Sequence, residues 1–389
     1  MNIAFVSPRL HEPGTVGGAE TLVWNMALDA VALGHKVELL VTCAKNHFTW
    51  ENELPAGAFE RDGVTVRRFH VNANRDASAF HRVQKRISTG ATVTPEEERL
   101  WLDNSVNSDA MIAHLRASAS RIDRLIAAPY LFGTVVAAAA ALPEKTLLAP
   151  CLHDEPFARV GLIREMFENV RGFLFNTEPE QQLAHRLYDL RDKTEAVVAM
   201  GIEPFETPRD AFAKRTGITG DYLLYSGRRE PLKGTPMLID YLACFRQRTG
   251  RAIKLVMTGS GAVDVPTELS RDFHDLGFVS ENEKREAMAG ALAFCHPSMN
   301  ESLSIVLLES WLARAPALVR AGSEVLRWQC ATSNGGLWFA NYPEFETMLL
   351  WLLDHPSERA AMAEQGRAYT IAKYAPSAVR ARLAAALDS

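Results

Sequence analysis

Residues 291–312 read ALAFCHPSMNESLSIVLLESWL, and this stretch decides the fold. The short apolar run Leu292–Cys295 predicts a buried strand, which ends in a turn at Pro297. A helix is predicted to begin near Ser302 or Leu303, because apolar residues then recur at helical spacing. A buried strand that feeds directly into a helix is the repeating unit of α/β folds with parallel sheets.

Two glutamates flank the predicted start of this helix. Glu301 lies in the loop before the helix, and Glu309 lies about two turns inside it. Between them, the unpaired N–H groups of a helix N-terminus would suit a phosphate. Carboxylates on both sides of a phosphate site suit a ligand with hydroxyls at both ends and phosphates in the middle. A nucleotide-sugar, which consists of ribose, diphosphate and hexose, has this shape.

The composition describes a soluble globular protein. The chain has 389 residues, which favours two domains, and it is 47% hydrophobic and 23% charged. Its net charge of −5 argues against a nucleic-acid partner. Strand Ile3–Val6 leaves no room for a signal peptide, and no apolar run reaches the roughly 20 residues of a membrane span.

The cysteines are scattered and form no CxxC pair, so a zinc site is not expected. They are Cys43, Cys151, Cys244, Cys295 and Cys330. Reduced, packed thiols of this kind predict a cytoplasmic protein.

Short apolar runs alternate with helical patterns along almost the whole chain. The predicted strands are Ile3–Val6, Val37–Thr42, Val64–Phe69, Thr146–Leu148, Gly172–Phe175, Ala196–Ala199, Tyr222–Ser226, Lys254–Thr258, His274–Phe278, Leu292–Cys295, Ala317–Val319 and Leu337–Phe339. This alternation predicts an α/β fold with two doubly wound, Rossmann-like domains that face each other across a cleft.

The segment 201–220, rich in glycine and proline, is the predicted linker. It separates an N-terminal domain, residues 1–200, from a C-terminal domain, residues 205–372. A C-terminal helix, about 373–389, is placed to cross back onto the first domain. Residues 72–125 contain no convincing strand and are interpreted as helices, either beside the cleft or as a surface insertion. Thr94 is predicted to cap one of them.

The first strand leads into a long loop, Ser7–Glu20, that contains Gly17 and Gly18. These glycines would let a ligand approach the backbone at the start of a helix. The loop is neither a GxGxxG fingerprint nor a phosphate loop ending in Gly-Lys-Ser/Thr. A purely structural turn explains it about equally well.

The second domain opens in a similar way, with strand Tyr222–Ser226 followed by Gly227-Arg-Arg-Glu-Pro-Leu-Lys-Gly234. The cations Arg228, Arg229 and Lys233 at the carboxyl end of a strand suit a diphosphate. The competing interpretation is a solvated basic turn in which Glu230 is the partner.

Three further strand ends carry candidate site residues. His153 would donate a hydrogen bond to a sugar hydroxyl, although local sequence alone favours a packed histidine beside a capping Asp154. Gly259 follows strand Lys254–Thr258 and is expected to border a nucleotide pocket. Main-chain groups of Phe278 and Val279 would pair with a base edge, or would form only a structural turn before a helix that Ser280 caps.

Four motifs in order resemble the retaining glycosyltransferases of the GT-B fold, and specifically glycosyltransferase family 4. The matching residues are Gly17 to Glu20, His153-Asp154, Gly227-Arg228 with Lys233-Gly234, and Pro297-Ser298 with Glu301 and Glu309. The resemblance is strongest from Tyr222 to Leu312 and fades over residues 72–145. Many members have Gly-Phe-Gly where this chain has Ser302-Leu303-Ser304, a difference that bears on which sugar fits.

The resemblance implies a role for each matching residue. The implied catalytic residues are Arg228 and Lys233 on the donor diphosphate, Glu301 on the sugar hydroxyls near C3 and C4, and His153 near the C6 hydroxyl. The implied donor-binding residues are Gly17, Gly18, Gly227, Gly259, Phe278, Val279, Leu303, Ser304, Ile305 and Glu309, of which Glu309 would hold the ribose.

No metal or other cofactor is expected, because no DxD pair or metal-ligand cluster appears. The expected partners are a nucleotide-sugar donor and a glycan, lipid-linked or small-molecule acceptor, with peripheral membrane contact left open. The alternatives are a nucleotide-sugar epimerase of similar shape and a catalytically silent nucleotide-sugar-binding protein. A phosphorylase is less favoured, because no lysine stands out as a Schiff-base site. The base, sugar, acceptor, linkage and oligomeric state remain open.

Overall fold

A computed structural model describes residues 1–10, 12 and 17–389. The chain divides into two compact units. Unit 1 comprises Met1–Gly201 together with Pro376–Ser389, and unit 2 comprises Ile202–Ala375. In each unit, helices pack against a sheet whose strands are mainly parallel.

In the described part of unit 1, the sheet has eight strands in the order β3-β4-β2-β1-β5-β6-β7-β8. They are β1 (Asn2–Val6), β2 (Lys36–Thr42), β3 (Gly57–Arg61), β4 (Val64–Phe69), β5 (Arg124–Ala127), β6 (Thr146–Leu148), β7 (Gly172–Phe175) and β8 (Thr194–Val197). The order reverses at β1, as in a doubly wound sheet.

Two strands of unit 1 are absent from the sequence prediction. β5 was missed because it is only four residues long and begins with Arg124, yet it pairs with β1 near the middle of the sheet. β3 was missed because most of its residues are exposed and charged or small. It pairs antiparallel with β4, so the sheet is mixed and not wholly parallel.

The helices of unit 1 cover this sheet and bury their apolar faces in its core. They are α1 (Gly18–Ala32), α2 (Ala77–Ser88), α3 (Pro95–Asp103), α4 (Asp109–Ala117), α5 (Gly133–Ala141), α6 (Gly161–Asn169) and α7 (Glu178–Leu187), joined at the end of the chain by α15 (Pro376–Asp388). The predicted N-cap at Thr94 is confirmed, since its side chain accepts from the Glu97 amide and Glu97 bonds back to the Thr94 amide.

Unit 2, every residue of which the structure describes, has a six-stranded parallel sheet in the order β11-β10-β9-β12-β13-β14. Its strands are β9 (Tyr222–Ser226), β10 (Lys254–Thr258), β11 (Phe273–Asp275), β12 (Ala293–His296), β13 (Ala317–Arg320) and β14 (Gly336–Phe339). Its helices are α8 (Ala211–Thr216), α9 (Thr235–Thr249), α10 (Glu281–Gly290), α11 (Ile305–Leu312), α12 (Glu324–Ser333), α13 (Tyr342–Asp354) and α14 (Pro356–Tyr374). Relative to its first strand, this is the 3-2-1-4-5-6 order of dinucleotide-binding folds.

Some predicted boundaries were wrong. The helix expected to begin at Ser302 or Leu303 begins at Ile305, because Ser304 adopts a left-handed conformation with φ of 66° that a helix cannot include. The strands predicted at Ala196–Ala199 and His274–Phe278 lie earlier, at Thr194–Val197 and Phe273–Asp275. No helix in the described residues is long and apolar enough to cross a membrane.

Candidate active site

The candidate site in unit 2 lies at the carboxyl ends of four adjacent strands. Loops that follow β11, β10, β9 and β12, together with helix α11, carry the predicted donor-binding residues of unit 2 at this edge of the sheet. The strand order reverses between β9 and β12, which pair directly with each other. Ligands of doubly wound sheets bind in the crevice at such a reversal. The loops after β9 and β12 are therefore the centre of the site.

Lys233 and Glu301 meet across this reversal. The Lys233 Nζ atom donates to Glu301 Oε1 at 2.7 Å. His296, the last residue of β12, places its Nε2 atom 3.4 Å from the same oxygen. The sequence analysis singled out Lys233 and Glu301 but missed His296, whose only signal was its position at the end of a buried strand.

The surroundings of Glu301 keep it ionised. Burial acts to raise the pKa of this carboxyl group, but the charges and hydrogen bonds of His296 and Lys233 outweigh it and hold the pKa well below its usual range. The side chain is only 13% exposed. Glu301 is thus a fixed hydrogen-bond acceptor beside a cation.

The two neighbouring arginines of the β9 loop have different environments. Arg228 is exposed, and its Nη2 atom lies 3.6 Å from Glu230 Oε1, so its guanidinium is accessible to a ligand. The Arg229 side chain is only 3% exposed and donates to Asp275 and to the Gly259 and Gly261 carbonyls. Of the two or three cations of this loop, Arg229 is therefore the one that does not face a ligand. Its guanidinium ties the loops after β9, β10 and β11 together.

Glycines allow these loops to pack closely. Gly259 has a φ of 109°, and a Cβ atom there would lie 2.1 Å from the Gly227 carbonyl oxygen. Gly234 has a φ of 73°, and a Cβ atom there would lie 2.4 Å from the Pro297 carbonyl oxygen. Only glycine satisfies both the left-handed backbone and the missing space. Gly234 therefore lets the loop that carries Lys233 pack against the β12 loop, and Gly259 lets the β10 loop pack against the β9 loop.

The amino end of α11 lies in the β12 loop. Leu307 and Leu308 donate to the Ser304 carbonyl, so the amides of Ile305 and the residue after it precede the first intrahelical bond. The Leu303 carbonyl accepts a hydrogen bond from Gln329, which anchors the segment just before the helix. The Ser304 hydroxyl is buried and has no hydrogen-bond partner among the described residues.

Glu309, one turn inside α11, is paired with Lys284 of α10. The Lys284 Nζ atom lies 3.0 Å from each carboxylate oxygen of Glu309. The sequence analysis missed Lys284, because nothing in the α10 segment distinguishes it from the other charged residues there.

The turn after β11 presents an aromatic side chain. Phe278 is 66% exposed, and Val279 beside it is partly buried. The preceding Gly277 carbonyl accepts from the Gly259 amide, so this turn is joined to the β10 loop. The predicted capping box is confirmed, since Ser280 and Glu283 bond reciprocally at the start of α10.

In unit 1, His153 follows β6 and is partly exposed. Its Nδ1 atom lies 3.7 Å from Glu155 Oε1, which also accepts a 2.8 Å hydrogen bond from the Tyr130 hydroxyl. Asp154 caps no helix: the short 3₁₀ helix Pro156–Arg159 begins after Glu155 and has no side-chain cap, and the Asp154 carboxylate accepts from Arg159 at 2.7 Å. The interpretation of Asp154 as a helix cap was therefore wrong.

Glu180 supports the loop that carries His153. Its carboxylate accepts the Leu152 amide at 2.6 Å and the Asn176 amide at 2.5 Å, and the residue is only 1% exposed. Burial raises the pKa of Glu180 to about 7, although the amide hydrogen bonds and the charge of His153 act against that rise. Glu180 was not predicted, because a glutamate in the first turn of a helix is common and carries no further signal.

Gly17 and Gly18 lie at the start of α1. A Cβ atom at Gly17 would lie 2.0 Å from the Glu20 carboxylate, which Arg9 holds through hydrogen bonds from Nε and Nη2. Arg9 is buried and was not predicted. Residues 11 and 13–16 of the predicted loop lie outside the described residues.

Within the described ranges, no three His, Cys, Asp or Glu side chains are grouped so that they could hold a metal ion. A cavity of about 120 Å³ lies elsewhere in unit 2, lined by Arg209, Arg314 and Arg359 among others. Its residues Leu292 and Pro316 precede β12 and β13, so it lies at the amino ends of these strands, opposite the candidate site.

Comparison with known proteins bears on the chemistry of this edge. Residues 208–369 match the model of the family described as glycosyl transferases group 1. The matched segment contains the loops after β9, β10, β11 and β12 described above.

Whole-chain comparisons agree with that match. The chain is similar to D-inositol 3-phosphate glycosyltransferase of Frankia alni, with 26% identity over 394 residues that cover 91% of this chain and 90% of that protein. Its structure is similar to sucrose-phosphate synthase of Thermosynechococcus elongatus, with a TM-score of 0.72, 13% identity and coverage of 99% and 97%. It is also similar to Anabaena HepE in complex with UDP-glucose, with a TM-score of 0.70, 16% identity and coverage of 100% and 99%.

The structural matches confirm the predicted fold class, an α/β protein with two doubly wound, Rossmann-like domains of the GT-B type. Together with the domain match and the Frankia relative, they support a glycosyltransferase, an enzyme that transfers a sugar.

Proposed function

We propose that this protein is a retaining glycosyltransferase that moves a sugar from a nucleoside-diphosphate donor to an acceptor hydroxyl without a metal ion. The observation that carries the proposal is the 2.7 Å bond between Lys233 and Glu301 at the strand-order reversal of unit 2. It sets a cation and an ionised acceptor side by side, where a diphosphate and a sugar hydroxyl would need them.

Charge on the leaving group is the main chemical difficulty. The bond between the anomeric carbon and the β-phosphate oxygen breaks, and its electron pair leaves with the nucleoside diphosphate. Lys233, Arg228 and the first amides of α11 would stabilise this negative charge without reorganising. Because these groups supply positive charge from the protein, the proposal does not require a divalent cation.

The acceptor hydroxyl then forms the new bond to the anomeric carbon from the face that the diphosphate leaves. Its proton passes to the departing phosphate oxygen, so no carboxylate nucleophile is needed. Glu301 is assigned to positioning the sugar hydroxyls near C3 and C4, and His153 to the C6 hydroxyl region. Family 4 membership, retention of configuration and a cytoplasmic location belong to this proposal.

The donor class is proposed from the same site. Glu309 would hold the ribose, and the backbone of Phe278 and Val279 would meet the base. UDP-sugars are the first donors to test, because HepE, which has a similar fold, was solved with UDP-glucose. The acceptor can be a glycan, a lipid-linked sugar or a small molecule.

The decisive experiment measures transfer from UDP-, GDP- and ADP-sugars to a panel of acceptors, with product configuration read by NMR. Lys233→Ala should lower turnover by roughly 10²–10³-fold, because it removes a preorganised cation from the leaving group. Lys214→Ala is the matched control, since Lys214 is an exposed lysine of α8 paired with Asp210. Unchanged turnover in Lys233→Ala would mean that the loop is misassigned.

The same assay separates the competing functions. An epimerase would convert the donor sugar with no acceptor present, and a silent binding protein would bind donor but turn over none. Product of inverted configuration would reject retention while leaving sugar transfer intact. Transfer that persists in excess EDTA is expected, and its loss would reject metal independence.

A further inference from the structure

Of the two lysines in the candidate site, Lys284 has the more buried side chain, and the proposed function gives it no role. Its side chain is 16% exposed and lies between two carboxylates, Glu309 of α11 and Glu281 at the start of α10. The Nζ atom lies 3.0 Å from both oxygens of Glu309 and 2.9 Å from Glu281 Oε2. All three ammonium hydrogens therefore have acceptors within reach.

Glu309 keeps unused acceptor capacity in spite of this pairing. Lys284 donates its hydrogen bond to Oε1, whereas Oε2 is buried and lies 3.0 Å from the same ammonium group without an aligned hydrogen bond. A carboxylate oxygen accepts more than one hydrogen bond, and an incoming hydroxyl group would supply a further one. The observation points to a ligand with an O–H group at this position.

The charge state of Glu309 depends on Lys284. Burial raises the pKa of Glu309, and the charge and hydrogen bond of Lys284 oppose that rise. The other charged groups that act on Glu309 are Glu281, which raises its pKa, and Arg285, which lowers it. All of them lie on α10. An ionised carboxylate only accepts hydrogen bonds, whereas a protonated one presents a donor to the ribose.

We propose that Lys284 is a positioning residue for the donor ribose: it holds Glu309 ionised and oriented, so that the carboxylate accepts the ribose hydroxyls. This inference rests on the proposed function, because it takes a nucleoside diphosphate as the ligand. Lys284 itself need not touch the nucleotide. Its effect is transmitted through Glu309.

A neutral residue at position 284 leaves Glu309 buried without its cation. The carboxyl group then takes up a proton more readily, and the ribose loses one of the two charged acceptor oxygens. Binding of ribonucleotides should weaken most at low pH and recover as the pH rises and Glu309 ionises. A 2′-deoxynucleotide lacks one of the ribose hydroxyls that would contact Glu309, so its affinity should fall less in this variant.

The test uses calorimetric titration of the full-length protein with UDP, GDP and ADP, and with the 2′-deoxy form of whichever binds. Wild type, Lys284→Met and Lys284→Arg are compared at about pH 6 and about pH 8, because a raised carboxyl pKa moves protonation towards neutral pH. Lys284→Met should weaken ribonucleotide binding by roughly tenfold or more at the lower pH. Lys284→Arg should restore most of it, because a cation again faces Glu309.

Two further variants keep the test valid if Lys284→Met folds poorly. Glu281→Gln changes an exposed partner and leaves the Lys284–Glu309 contact, so it should bind UDP within about threefold of wild type. Glu309→Gln removes the negative charge and replaces one of the two acceptor oxygens by an NH2 donor, so it should reduce the preference for ribose over 2′-deoxyribose at both pH values. Lys214→Met, which breaks a lysine–aspartate pair on α8, is the matched control.

The outcomes separate this inference from the function on which it rests. Binding in Lys284→Met with wild-type affinity, pH profile and ribose preference would overturn the role of Lys284 and leave the proposed function standing. Equal loss of ribo- and deoxyribonucleotide binding at both pH values would show a merely structural role and would also overturn it. Failure of wild type to bind any of the three nucleoside diphosphates would overturn both.

Discussion

Two buried glutamates of this protein respond to their surroundings in opposite ways. Glu301 faces His296 and Lys233, and the interactions with these two residues outweigh the effect of burial and lower the pKa of Glu301. Glu180 faces mainly backbone amides, which do not outweigh burial, and its pKa rises to about 7. The difference is the presence of a nearby cation, and it predicts opposite effects of pH on stability.

Replacement of Glu301 by Gln should destabilise unit 2 at neutral pH, by roughly 1–3 kcal/mol, because Lys233 loses its charged acceptor. A lowered folded-state pKa gives stability that is present above the ordinary carboxyl pKa and is lost as the pH falls. The difference in free energy of unfolding between wild type and Glu301→Gln, measured by chemical denaturation, should therefore become smaller at acidic pH. A gap that stays constant down to strongly acidic pH would contradict this account.

Glu180 should make the protein less stable as the pH rises, which is opposite to the effect of Glu301. Because its folded-state pKa is raised from 4.5 to about 7, its contribution to stability is fully present below pH 4.5 and is lost as the pH rises through about 7. The loss is roughly 3 kcal/mol over this window. Urea unfolding from about pH 5 to about pH 8 should show this slope in wild type and a flatter one in Glu180→Gln. Equal slopes would show that the carboxyl group does not titrate there.

At the level of elements, helix α9 has a left-handed glycine at each end. Gly234 precedes the helix with a φ of 73°, and Gly250 follows it with a φ of 67°. Their surroundings differ: a Cβ atom at Gly234 would collide with the Pro297 carbonyl, whereas nothing lies within 4 Å of one at Gly250. The first glycine is needed for loop packing and the second only for its backbone conformation.

Alanine at each position separates these two effects. Gly250→Ala should lower the free energy of unfolding by about 1 kcal/mol, because alanine is strained in a left-handed conformation. Gly234→Ala carries the same strain and must also push the β12 loop away, so it should cost clearly more and weaken donor binding. Thermal denaturation and UDP titration of the pair measure the difference. Equal losses in the two variants would show that the loop gives way freely.

At the level of the whole molecule, unit 1 is completed by the last residues of the chain. In α15, Arg380 donates to Asp29 of α1 at 2.7 Å, and Arg382 donates to the Val198 carbonyl next to β8. Leu383 of this helix is fully buried. The fold of residues 1–201 therefore depends on a segment that follows unit 2 in sequence.

Leu383→Ala should destabilise unit 1 by about 2–5 kcal/mol, because it leaves a cavity in a buried contact. Hydrogen exchange should accelerate in α1 and β8 and stay unchanged in the strands of unit 2, since α15 packs within unit 1. Ser377→Ala, at an exposed position of the same helix, is the control. Faster exchange confined to β9–β14 would contradict this assignment.

Most of the sheet was predictable from apolar runs, because a strand buried on both faces needs them. All six strands of unit 2 were anticipated, β9 and β10 with the observed bounds and β11 to β14 with bounds that differ at one or both ends. β3 and β5 were not, since an exposed edge strand and a four-residue strand are stabilised by their neighbours and leave little local pattern. The start of α11 at Ile305 was not predicted either, because a serine in the sequence does not indicate the left-handed backbone that Ser304 adopts.

The sequence by itself determined the α/β fold class, the loops at the strand ends and the chemical types of Arg228, Lys233, Glu301 and Glu309. Only the tertiary structure decided which of these groups contact one another. Arg229 pairs with Asp275, Lys284 pairs with Glu309, and Glu180 accepts a backbone hydrogen bond from the loop that carries His153. Hydrophobic periodicity is local and can be read along the chain. Charge pairing depends on distances between residues far apart in sequence, which folding alone establishes.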